Sequence, residues 1–190
     1  MRLFSGAVAG HNLILVDHHR ESVKAFGTQQ PQEEKIPTEV ALDRANEADA
    51  AEIAALYLAS RADALPSLRR VHDDAAVHAW IRTVMLRQGK TWVARQDGAI
   101  LGFVTLRGDA LDQLYLRPGH YRRGIGSILL AKAKVLSPGR LRLLTFQRNE
   151  RARAFYEAQG FRIVDLNDGT RNEEGEPDVL YEWVAGEFSP

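Results

Sequence analysis

Apolar residues along this chain switch between a helical and an alternating period, and each switch marks an element. A short strand through Val40 and Leu42 is followed by Ile53, Leu56 and Tyr57 at helical spacing, which predicts a helix over about residues 47–60. A second helix is expected from Asp73 or Asp74, either of which can cap it, through Val77, Trp80, Ile81, Val84 and Met85 to Gly89. Residues 91–95, 100–107 and 111–116 then read as strands, because Asp97-Gly98 and Gly108-Asp109 are turn dipeptides between apolar runs. They form an antiparallel meander. After Pro118 a glycine-rich turn opens a helix whose Leu129, Ala133 and Leu136 recur at i, i+4 and i+7, and Pro138-Gly139 ends it. A strand over 141–146, a helix over 149–159, Gly160 as its left-handed stop and two last strands complete a mixed sheet flanked by helices. No internal repeat is visible, which argues against solenoids and propellers.

Composition narrows the picture. Hydrophobic residues make up 45% of the 190 and charged residues 26%, as in a packed globular chain with room for one domain and a tail. The tail is at the start. Residues 27–36, GTQQPQEEKI, carry too little apolar surface to offset the entropy of ordering them, so residues 1–37 are expected to be a flexible extension and 38–190 the domain. His11, His18 and His19 in that extension lack a zinc-ligand spacing, and no metal is expected. Lys plus Arg number 25, as do Asp plus Glu. With no bulk positive field, neither nucleic acid nor a membrane surface is an expected partner. Cysteine is absent, which removes disulfides, thiolate metal sites and a cysteine nucleophile. The opening residues make a poor secretory signal and no stretch is long and apolar enough to span a bilayer, so the reading is cytoplasmic.

The candidate chemistry lies in Arg122-Arg123-Gly124-Ile125-Gly126-Ser127, between a strand and a helix. The first helical turn has N–H groups without intrahelical acceptors, the helix dipole adds partial positive charge, and two arginines add full charges. Such a turn suits a pyrophosphate. It is no P-loop, lacking Gly-Lys-Ser/Thr, and no dinucleotide fingerprint, since Leu129 stands where a small residue is needed.

On these residues the chain resembles a known family. LDQLYLRPGHYRRGIGSILLAKAK resembles the acetyl-CoA-binding motif of the GNAT N-acetyltransferase superfamily, and LLTFQRNERARAFYEAQGF resembles its later motif, a strand, an Asn and an Ala-x-x-Phe-Tyr helix ending in Gly-Phe. One position departs: Tyr121 stands where the family usually has Gln or Arg. The resemblance implies an α/β (mixed α+β) fold with a central sheet of about seven strands, antiparallel in its first half, and about four helices. It also implies acetyl transfer from acetyl-CoA to a primary amine by direct attack in a ternary complex.

The resemblance further implies a set of site residues. Backbone N–H groups of Leu114, Tyr115 and Leu116 would meet the thioester and the pantetheine arm, with Arg122, Arg123, Gly124, Ile125, Gly126 and Ser127 around the diphosphate. Tyr156 falls at the general acid's place. Asn149, two helical turns earlier on the same face, would touch the cofactor arm. A general base is less clearly encoded: His72 and Asp112 are the candidates, and Gln113 is not, because an amide accepts no proton at neutral pH. Glu173, Glu174, Glu176 and Asp178 point to a cationic amine if they line the acceptor cleft, or to a solvated turn if they do not, with Leu65, Pro66 and Leu68 as the opposite wall. The resemblance leads one to expect a small-molecule or peptide amine as acceptor, and a monomer or homodimer. An acyl-CoA-binding module without turnover is the alternative reading.

Overall fold

The computed structural model describes residues 39–187. The N-terminal segment with its three histidines and residues 188–190 lie outside the described residues.

Seven strands form one sheet in the order β1-β2-β3-β4-β5-β7-β6. β1 (Ala41–Arg44), β2 (Lys90–Gln96), β3 (Ala99–Arg107) and β4 (Ala110–Leu116) are antiparallel neighbours. β5 (Arg140–Phe146), β7 (Asp178–Val184) and β6 (Arg162–Asn167) form a second antiparallel group. The two groups meet in parallel, and among the described residues β4 and β5 pair only at Ala110 opposite Arg142. Arg142 N–H also bonds to Asp109 C=O at 2.9 Å. Beyond that point the strands part.

Strand alternation divides the core into two layers. Val93, Ile100, Phe103 and Tyr115 face one side, where they pack on α1 (Ala50–Ala64) and α2 (Asp74–Trp80). Ala94, Leu101, Val104, Leu114 and Leu116 face the other, where Leu129, Leu130 and Ala133 of α4 (Ile125–Leu136) and Ala152 and Tyr156 of α5 (Glu150–Ala158) pack.

Two helices differ from the reading of the sequence. α1 is preceded by a 3-10 turn, Glu47–Asp49, closed by a capping box in which Asn46 and Asp49 exchange backbone bonds. It also runs four residues further, to Ala64, because the chain leaves helical geometry only where Leu65 meets Pro66. The expected single helix over 73–89 changes winding: α2 passes into a π-helical stretch, Ile81–Met85, and a last α turn, α3 (Leu86–Gln88). At the junction Thr83 Oγ1 donates to Ala79 C=O at 2.7 Å, a side-chain bond back into the preceding turn.

Candidate active site

β4 delivers the chain to the glycine turn, and Arg117 fixes the exit. Its guanidinium donates to Ile100 C=O at 2.8 Å and to Glu52 of α1 at 2.5 Å. Tyr121, the departure from the family motif, donates its hydroxyl to Asp63 of α1 at 2.9 Å, so it anchors the turn. Arg122 adopts φ of +61° and Gly124 +78°. A left-handed non-glycine residue costs about 1–3 kcal/mol, and such strain concentrates where backbone groups must point at something. The first helical bond runs from Ile128 N–H to Gly124 C=O, so the N–H groups of Ile125, Gly126 and Ser127 lie ahead of it. Arg122 and Arg123 are exposed beside them.

The parting of β4 from β5 opens a wedge that leads from this turn into the molecule. Arg117 N–H bonds to Leu101 C=O on β3, and alternation then turns the amides of Leu114 and Leu116 away from β3, toward the wedge. On β4, on α5 and at the α5 cap, three buried polar atoms have no hydrogen-bond partner among the described residues: Gln113 Oε1, Tyr156 Oη and Asn149 Nδ2. Asn149 does cap α5, its Oδ1 accepting from Ala152 N–H at 3.2 Å, and this leaves its amide nitrogen unused. Orphaned buried groups are rare enough to need an explanation. A polar, amide-containing arm between the strands would supply one, and the acetyl-CoA that the family resemblance implies carries such an arm.

Burial holds the Tyr156 phenol well above its usual range, with a smaller push from Tyr115. Tyr115 packs in the core layer on the opposite face of the sheet. Tyr156 therefore stays protonated through neutral pH. A neutral phenol can give up a proton, as a general acid must.

A cavity of about 480 Å³ lies on the other side, between α1, the 65–72 segment and the β6–β7 connection. Leu65, Pro66 and Leu68 line it, and so do His72, Glu173 and Glu174. His72 Nε2 is 2.8 Å from Glu173 Oε2, which puts this base candidate at the cavity. Asp112 is elsewhere. It is buried at the start of β4, 2.6 Å from Arg107, and is not among the cavity's lining residues. Burial raises its pKa, and Arg107 works against that shift. Among the described residues no His, Asp and Glu group converges as a metal site.

Tyr57 and Arg61 are among the lining residues that the reading of the sequence missed. Arg61 donates to Tyr57 Oη at 3.2 Å and to Glu174 at 2.8 Å. Their i, i+4 spacing on α1 was the available signal, but it reads equally well as one more core position and one surface cation.

Comparisons with known proteins bear on the same region. Residues 87–163 match the acetyltransferase (GNAT) domain family. The peptidyl-lysine N-acetyltransferase YiaC of Escherichia coli is 40% identical over 86 residues, 45% of this chain and 58% of that protein. The peptidyl-lysine N-acetyltransferase YjaB of Salmonella typhimurium is 34% identical over 84 residues, 44% of this chain and 57% of that one. The chain thus spans a little over half the length of these curated relatives. Among solved structures, apo YjaB from Escherichia coli superposes with a TM-score of 0.64 at 21% identity, covering 78% of this chain and 99% of that one. yncA from Salmonella typhimurium, solved with its cofactor acetyl-CoA, gives 0.59 at 17% identity, covering 80% and 98%. At such identities the likeness concerns the fold alone. In fold, and in sequence over residues 87–163, this chain is similar to the GNAT acetyltransferases.

Proposed function

We propose that this protein is an N-acetyltransferase that moves an acetyl group from acetyl-CoA to a primary amine by direct attack in a ternary complex, and that residues 38–190 are the transferase unit. What supports the reading is that β4 and β5 pair at one point among the described residues, that helix-first N–H groups follow β4, and that Tyr156 Oη and Asn149 Nδ2 on the helix after β5 are buried without a partner. Acetyl-CoA supplies the acetyl group as a thioester. The N–H groups of Ile125, Gly126 and Ser127, with Arg122 and Arg123, hold the diphosphate. Asn149 Nδ2 donates to the arm. Leu114 or Leu116 N–H donates to the carbonyl oxygen as charge develops there.

Transfer forms a nitrogen–carbon bond and breaks the carbon–sulfur bond. Tyr156 Oη gives its proton to the departing sulfur and is reprotonated from solvent. The amine's surplus proton leaves through His72, backed by Glu173, or through water; His72 is preferred to Asp112 because it lines the cavity. An alkylamine with a pKa of about 10.4 must lose a proton first, so activity should rise with pH through neutrality. The names of the relatives favour a peptide lysine among possible amines. Among the described residues no helix is long and apolar enough to cross a membrane. We place the reaction in the cytoplasm and take the protein as a monomer or homodimer.

Calorimetric titration with acetyl-CoA, for the native protein and for Gly126→Ala, tests the reading. A Cβ at residue 126 would lie 3.5 Å from Leu116 and Phe155, an ordinary contact, so the fold should tolerate it. If the diphosphate sits on the amide of residue 126, the added methyl crowds it, and affinity should fall about tenfold, a loss of about 1.4 kcal/mol. No native binding at millimolar ligand would remove the proposal. Binding without CoA release across a panel of amines would favour a non-catalytic acyl-CoA-binding module on the same fold.

A further inference from the structure

The cavity on the acceptor side has a charge arrangement that the sequence alone suggested only in half. Each of its acidic residues already has an ion-pair or hydrogen-bond partner. Glu174 pairs with Arg61 at 2.8 Å, Glu173 with His72 at 2.8 Å, and Asp74 with Arg70. Glu176, just beyond the lining, pairs with Arg148 at 3.1 Å. The carboxylates that would have drawn a cationic substrate are therefore already in use.

The cations are not all in use. Four arginines line the cavity against three carboxylates. Arg171 pairs outside the lining, with Asp165 at 2.7 Å. Arg69 is exposed at the cavity and has no ion-pair or hydrogen-bond partner among the described residues. The remaining wall is largely apolar, through Leu58, Leu65, Leu68 and Val77. At about 480 Å³ the space is larger than an alkylamine arm needs and falls within the usual range for small-molecule sites.

Resting on the acetyltransferase reading, we infer that the acceptor carries a carboxylate near its reactive amine, and that Arg69 is the residue that selects for it. The reacting nitrogen must be delivered neutral toward Tyr156, so a positive subsite does not oppose it. It opposes polyamines and lysines in basic surroundings. A guanidinium also suits a carboxylate geometrically, because its donors form a planar fork. The carboxylate can come from a free amino acid or from an acidic residue flanking a peptide lysine, and two substrate pairs separate these sources.

The first pair is lysine against cadaverine, which is lysine without its carboxylate. The second is acetyl-Asp-Lys-Asp-amide against its Asn-Lys-Asn counterpart. At low salt, kcat/KM is expected to favour the carboxylate-bearing member of at least one pair by about tenfold, the order of one charge-assisted hydrogen bond. In Arg69→Gln that ratio should fall toward one, and in Arg69→Lys part of it should return. An exposed, unpartnered side chain leaves little reason for either variant to misfold, and acetyl-CoA titration checks both. Ratios near one in both pairs of the native enzyme, or a preference that survives Arg69→Gln, would overturn the inference while leaving acetyl transfer intact. Failure of the native protein to bind acetyl-CoA overturns the transferase reading, and the inference with it.

Discussion

At the scale of single residues, Tyr156 combines two demands that conflict. Its ring fills the core against Phe155, Phe161 and Tyr181, while its hydroxyl is buried with no partner. Leaving such a group unsatisfied costs about 1–3 kcal/mol. Tyr156→Phe should therefore keep the packing and raise the midpoint of thermal unfolding, while turnover falls about a hundredfold, the lower end of what a positioned proton donor contributes. Calorimetric melts and CoA-release rates on the same preparation decide it: a variant that is destabilised, or as active as the native enzyme at every pH, would remove Tyr156 from the proposed mechanism. The role proposed for this tyrosine was legible in the sequence because two motifs framed it. The roles of Tyr57, Arg61 and Arg69 were not legible. What singles them out is which face of α1 or of the 65–72 segment meets the cavity, and which cations lack partners there, and neither has a local signature.

At the scale of elements, the β6–β7 connection shows how a polar segment becomes a wall. Read as sequence, its run of acids allowed a solvated turn. In the fold, Asn172 Nδ2 donates to Glu176 C=O at 2.7 Å and to Asp178 at 2.8 Å, and Gly169 N–H bonds to Asn167 Oδ1 at 2.8 Å. Gly169 has φ of +97°, and a Cβ there would come within 2.6 Å of the Gly175 backbone. Gly169→Ala should thus displace Glu173 and Glu174 without touching the wedge. KM for the acceptor is expected to rise several-fold with the dissociation constant for acetyl-CoA unchanged; steady-state kinetics beside calorimetry would expose the opposite pattern. The strands and helices themselves were readable, to within a few residues at their ends, because periodicity and turn dipeptides are local. The π-helical stretch was not readable, since a sequence that changes winding keeps the same apolar spacing over a turn or two.

At the scale of the whole molecule, the tyrosines that meet at the sheet set an alkaline limit. Tyr57, Tyr115 and Tyr156 are all held above the ordinary phenol range, chiefly by burial. Unfolded, each would ionise near pH 10. The unfolded chain thus loses these protons first. The stability they contribute is present below about pH 10 and disappears as pH climbs through the higher folded values. Tyrosinate absorbance and circular dichroism followed together should change in one cooperative step above pH 10; ionisation that runs ahead of unfolding would contradict the burial of the cluster.

Among the described residues a single rung, at Ala110 and Arg142, joins the two strand groups, and this carries a mechanical consequence. A sheet joined at only one such point behaves as two plates sharing a corner. Rotation about that corner can widen or narrow the slot without breaking a ladder in either plate. A thin molecule threaded there would be gripped along its length, and the plates would be stiffer with it in place than without it.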